Sequence, residues 1–105
     1  KGYILAKPGV NTIPIYEMFA PTMNDRFYAF SWNEVQWQIN DWKNENWGLR
    51  GYILSEPEAN TQPIYEMYSP LLNDRFYVWS WEEVQMQISK WENEYWGHRG
   101  YVFSK

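Results

Sequence analysis

Hydrophobic residues along the chain fall into two kinds of pattern. Ile13 to Phe19 and Gln62 to Tyr68 are short runs rich in β-branched and aromatic residues, each preceded by Asn-Thr and followed by a Pro, so both read as strands. Arg26 to Phe30 and Arg75 to Trp79 follow as second strands. The links between them carry Pro21 and Pro70, which start a turn, and Asn24-Asp25 and Asn73-Asp74, whose side chains can bond their own backbone. Each pair therefore reads as an antiparallel hairpin.

The pattern then changes to helical spacing. Ser31-Trp32-Asn33-Glu34 and Ser80-Trp81-Glu82-Glu83 have the form of a capping box, in which Ser accepts from an amide of the first turn while Glu reaches back. Trp32, Val35, Ile39 and Trp42, and again Trp81, Val84, Ile88 and Trp91, mark one apolar face, with Gln36, Lys43 and Glu92 on the solvated side. Gly48 and Gly97 are expected to end the helices in a left-handed cap. Short third strands, "GYIL" and "GYVF", close the series.

These elements recur because the chain is written twice. Shifted by 49 residues, Gly2 to Leu49 aligns with Gly51 to His98 without a gap, and well over half of the positions are identical. "PIYEM" and "NDRFY" each occur twice, and Gly-Tyr-aliphatic occurs three times, at Gly2, Gly51 and Gly100. A unit of this length without metal or disulfide is near the lower limit for independent folding. The expected fold is α+β: one domain over residues 1–105, made of two tandem strand-hairpin-strand-helix-strand repeats with antiparallel sheet, approximately 2–50 and 51–99. The strand at 100–105 completes the second repeat, and the pair forms a pseudo-two-fold arrangement around one aromatic core. The strand at Lys1 to Leu5 has no unit upstream of it, so it either completes this sheet or pairs with a neighbouring molecule in a homodimer.

Composition narrows what such a domain does. Aromatic residues make up 21% of the chain, with 8 Trp, and there is no cysteine, so stability rests on packing without disulfides or thiolate metal sites. The net charge of −4 is dispersed, which leaves no basic footprint for nucleic acid. No apolar run approaches the length of a membrane span and no charged-then-apolar leader is expected; a start at Lys1 without Met is what a processed or trimmed product would be expected to show.

The inventory of reactive groups is equally narrow. His98 is the single histidine and faces Leu49 in the alignment, so a Ser-His-Asp arrangement has no duplicate. Glu17 with Asp25 could serve as a glycosidase pair, although an Asp at a hairpin end is more often a turn residue. Neither a calcium-loop pattern nor a His pair occurs, so no catalytic residue, metal site or cofactor is expected.

What recurs without an evident structural duty is a polar and aromatic set: Glu17 and Glu66, Asp25 and Asp74, Arg26 and Arg75, Trp47 and Trp96, and Arg50 and Arg99, with His98 beside the last. Arg and carboxylate can simply pair across strands as surface salt bridges, and the tryptophans can cap the core. The same set can also match a sugar, because carboxylates accept from vicinal hydroxyls, Arg donates in a fixed fork, and the C–H face of a pyranose lies against a ring. The expectation is a lectin-like, carbohydrate-binding protein with two non-catalytic sites, one per repeat, gaining avidity from the pair. Its partners are glycans or cell-surface polysaccharide. The competing expectation is a structural or protein-interaction module without a sugar ligand.

At "PIYEMYSPLLNDRFYVWSWEEVQ" and "YWGHRGYVF" the chain resembles a repeat module of secreted bacterial and fungal proteins that is often appended to lysozyme-like and other wall-degrading hydrolases. The resemblance covers both repeats, and it implies a secreted, extracellular, sugar-facing and non-catalytic role. Two departures stand out. Where that module has Arg after its first Tyr this chain has Glu17 and Glu66, and where it has His after Asp this chain has Arg26 and Arg75. The positive charge has moved from one strand of the hairpin to the other, which either preserves a cross-strand pair or retunes the ligand.

Overall fold

The computed structural model describes residues 3–104. Eight elements follow one another: β1 (Thr12–Ala20), β2 (Asp25–Ala29), α1 (Trp32–Trp42), β3 (Glu45–Leu54), β4 (Thr61–Ser69), β5 (Asp74–Val78), α2 (Trp81–Trp91) and β6 (Glu94–Phe103). The strands form one curled antiparallel sheet in the order β2-β1-β3-β6-β4-β5, so the fold is α+β as expected. Among the described residues no helix is long and apolar enough to cross a membrane.

Local chemistry explains the hairpins. β1 and β2 pair from Tyr16 opposite Ala29 to Ala20 opposite Asp25, and β4 and β5 from Tyr65 opposite Val78 to Ser69 opposite Asp74. Asn24 and Asn73 close the two loops at φ of 51° and 53°, a left-handed conformation that Asn tolerates better than most residues. That is the structural duty of the first residue of "NDRFY".

The helices start where the capping boxes place them and stop earlier than the glycines suggested. Ser31 and Ser80 accept from the amides of Glu34 and Glu83, at 3.1 and 3.2 Å. Glu34 and Glu83 in turn accept from the amides of Phe30 and Trp79, at 2.8 and 3.0 Å. The left-handed caps are Lys43 and Glu92, with φ of 59° and 57°. Gly48 and Gly97 lie inside strands that begin directly after these caps. The third strands are accordingly much longer than the expected "GYIL".

The expected apolar helix face is also corrected. Val35 and Gln38 are the buried residues of α1 and Val84 that of α2, whereas Trp32, Ile39, Trp42, Trp81, Ile88 and Trp91 are exposed. A short helix laid close on a sheet buries a narrow strip, and bulky rings at its borders remain outside. No tryptophan is fully buried, and Trp79 alone among the described tryptophans packs against the central cluster, partly buried. The buried residues of the core form one cluster under α1 (Met18, Ala20, Phe27, Ala29, Val35), one under α2 (Met67, Val78, Val84) and a central one of Ile15, Phe30, Ile53, Ile64 and Val102. The interior is mostly aliphatic rather than aromatic. The central cluster draws on both halves of the sequence, which is what joins them.

Candidate functional site

β1 and β4 present alternate residues to opposite faces of the sheet. Met18 and Met67 turn toward the helices, while Glu17 and Glu66 turn to the other face, opposite Gly48 and Gly97 of the adjoining strands.

At the same place β3 and β6 bulge. Ile15 pairs with Gly51 and Tyr16 with Leu49, which leaves Arg50 over; Glu17 pairs with Gly48 and Met18 with Asn46, which leaves Trp47 over. In β6 the two extra residues are Arg99 and Trp96 by the same registers. A bulge breaks alternation and re-aims the extra side chain. Arg50 Nε thereby reaches Glu17 Oε1 at 2.7 Å, and Arg99 Nε comes within 3.5 Å of Glu66 Oε1. Trp47 stacks on Phe19 with ring centres 4.7 Å apart, and Trp96 on Tyr68 at 4.6 Å. Four of the expected site residues are therefore bulge residues, a role that the reading of Gly48 and Gly97 as helix ends had hidden for the Trp-Gly steps.

The environments of the two sets differ. Glu66, Arg75, Trp96 and Arg99 line a cleft of about 540 Å³ whose other wall is α1 and the β1–β2 loop, including Glu34, Trp37, Gln38 and Trp42. Glu66 is nearly enclosed between Arg75, at 3.4 Å, and Arg99. Burial pushes its carboxyl pKa up, with the two guanidinium groups acting against that rise. Arg99 Nη2 crosses to the first half of the chain and donates to both oxygens of Glu34, at 2.6 and 2.7 Å. One carboxylate thus caps a helix and holds the junction.

Two donors in the cleft wall make no hydrogen bond, although one of them, Arg99 Nε, stays in its ion pair with Glu66. Gln38 is 1% exposed; its Oε1 accepts from Asn44 Nδ2 at 2.7 Å, while its Nε2 has no partner among the described residues. Arg99 Nε is also buried without a hydrogen bond. An unmet buried donor costs about 1–3 kcal/mol. Trp37 and Trp42 meet edge to face at 6.0 Å and are about half exposed, which leaves ring surface beside those donors. Trp96 is less free, because Tyr68 stacks on it and the Arg75 guanidinium lies 5.1 Å from its centre.

The remaining expected residues sit elsewhere. Glu17 and Arg50 border a second hollow of about 340 Å³, and Arg26, 3.7 Å from Glu17, has a largely exposed side chain beside Trp47. Asp25 lies against Asp74 at the junction of β2 and β5 and accepts the Arg75 amide at 3.3 Å. His98 packs between the rings of Tyr65 and Tyr101, at 5.4 and 4.8 Å, outside both hollows. Sequence reasoning missed Glu34, Trp37, Gln38, Trp42 and Asn44 as cleft residues. Glu34 was legible as a cap and Trp42 as a core ring, and each of those readings hid the cleft. A Gln at the same place in both repeats was the available signal for Gln38.

Fold and site together define a small α+β domain with a polar, ring-walled cleft between the two halves of one sheet. The chain belongs to the family of domains of unknown function DUF5648, whose model matches residues 1–103. No curated protein and no solved structure matches it.

Proposed function

We propose that the protein is a lectin-like, non-catalytic carbohydrate-binding module of the extracellular space, built from two like units, with its complete sugar site in the cleft between them. The observation that carries this reading is the cleft of about 540 Å³ that sets two half-exposed indoles, Trp37 and Trp42, beside Glu34, Glu66 and Arg75. A pyranose offers hydroxyl oxygens to Arg75, hydroxyl protons to Glu34 and Glu66, and a C–H face to Trp37 and Trp42. The resemblance to modules appended to wall-degrading hydrolases supports the same partner class, glycans or cell-surface polysaccharide. The counterpart set, Glu17, Arg26, Trp47 and Arg50, lies on the open face and lacks a facing helix in the described chain.

Titration and glycan-array screening test the proposal. Binding in the micromolar to millimolar range is expected, and Trp37→Ala should weaken it tenfold or more, about 1.4 kcal/mol. Met86→Ala, at the corresponding place on α2, should leave it unchanged. Absence of binding to every sugar at millimolar concentration would remove the reading. It would favour the second one, a structural or protein-interaction module, which draws on Glu17 with Arg50 and Glu34 with Arg99 being already paired.

A further inference from the structure

The centre of the molecule is a small ring of strand ends. Leu5 pairs with Tyr52 of β3, the two amides donating to the opposite carbonyls at 2.8 and 2.9 Å. Leu54 of β3 pairs with Tyr101 of β6. Phe103 of β6 then pairs with Tyr3, at 2.7 and 3.2 Å, which returns to the starting segment. In each step the Tyr of one Gly-Tyr segment faces the residue two places beyond the Tyr of another. A two-fold arrangement would instead set Tyr52 opposite Phe103. Close packing repeats with the ring: a Cβ on Gly51 would lie 2.7 Å from Ile4 Cδ1 and 2.6 Å from the Leu5 carbonyl oxygen. One on Gly100 would lie 2.7 Å from Ile53 Cδ1 and 2.8 Å from that of Leu54. Three segments form the ring, and two of them, β3 and β6, end a strand-hairpin-helix-strand unit.

The junction between those two units has an acidic, aromatic side and a basic side. The first unit supplies Asp25, Phe27, Phe30 and Glu34; the second supplies Arg75, whose guanidinium lies 4.3 Å from the Phe27 ring centre, Arg99, 4.4 Å from that of Phe30, and Tyr77, whose hydroxyl accepts the Tyr28 amide at 2.9 Å. Each unit carries the other side as well, with no further unit against it, although Asp74 also lies beside Asp25 and Arg26 and Arg50 pair with Glu17 of their own unit. Arg26, Tyr28 and Arg50 are the basic side of the first unit, and Asp74, Phe76, Trp79 and Glu83 the acidic, aromatic side of the second. Their exposure shows the vacancy: the Arg26 side chain is 70% exposed against 18% for Arg75, and Arg50 46% against 23% for Arg99. The 340 Å³ hollow lies between the two open sides, floored by Ile15, Ile64 and Val102.

We propose that this open face is an interface for a third unit of the same strand-hairpin-helix-strand kind, continuous with the Tyr3–Leu5 strand, which would present an acidic side to Arg26 and Arg50 and a basic side to Asp74 and Glu83. The ring already contains the end of such a unit's last strand, and the charges on the two open sides are complementary to one unit inserted between them. The proposal rests on the reading of the chain as like units but not on sugar binding.

The test adds residues 12–50 directly before Gly2 in place of Lys1, leaving the rest of the chain intact. The extended protein should be a monomer by light scattering and melt about 10 °C or more above the parent. Arg26→Glu should erase a large part of that gain while moving the parent's melting point by only a few degrees, since Arg26 is mostly in water there. An extended chain that melts no higher, or whose added segment is digested by protease while the parent remains, overturns the proposal. So does a parent chain that dimerises through this face, shown by loss of the dimer in Arg26→Glu, because the occupant would then be a second copy. Sugar titration of the parent is a separate readout, so either idea can fail alone.

Discussion

Single residues in this protein hold conformations that their type does not favour. Lys43 and Glu92 end the two helices at positive φ, where an L side chain costs about 1 kcal/mol and glycine costs little. Glu92 adds a negative charge at the negative end of the α2 dipole. Glu92→Gly is therefore expected to stabilise the protein by about 0.5–1 kcal/mol, read as a higher denaturant midpoint with unchanged slope. The glycines that the sequence does provide nearby, Gly48 and Gly97, serve the bulges instead. Both were visible as chain breakers, but a lone glycine after a helical pattern does not distinguish a cap from a bulge, because positive φ suits either.

At the scale of elements, hairpins and helix starts follow from local chemistry, whereas the helix face does not. Trp32, Ile39 and Trp42 have the right spacing for a core stripe, yet the sheet under α1 accepts only Val35 and the stem of Gln38. Val35→Ala should therefore cost about 2 kcal/mol through the cavity it leaves, while Ile39→Ala should cost well under 1 kcal/mol; urea unfolding of both checks the contrast. The third strands show the same limit. Their length is set by pairing with β1 and β4 along eight residues, and pairing with a distant segment has no signature in the local run.

The whole molecule depends on the seam where β2 meets β5. Asp25 is held there against Asp74, and burial first, then that neighbouring carboxyl, raises its pKa from 3.8 to about 6. A carboxyl whose folded pKa is raised favours folding less when ionised, so its penalty is present above about pH 6 and fades as pH falls toward 3.8. Asp25→Asn keeps an acceptor for the Arg75 amide and removes the charge. It should melt higher than the parent at pH 7.5, with the difference shrinking toward zero by pH 4. A difference that stays constant across that range would show that the seam is not under this electrostatic load.

The sequence by itself determined the element order, the hairpin loops, the helix N-caps, the absence of thiol chemistry and the short list of charged and aromatic residues. Those features arise from neighbours a few positions apart, whose sterics and hydrogen bonds are written locally. Only the tertiary structure decided that Trp47, Arg50, Trp96 and Arg99 are bulge residues, that Gln38 is buried with a free donor, and that Glu34 faces Arg99 across the junction. Each of these depends on which distant strand or helix lies opposite, and long-range pairing is settled by packing and register over the whole sheet rather than by any local run.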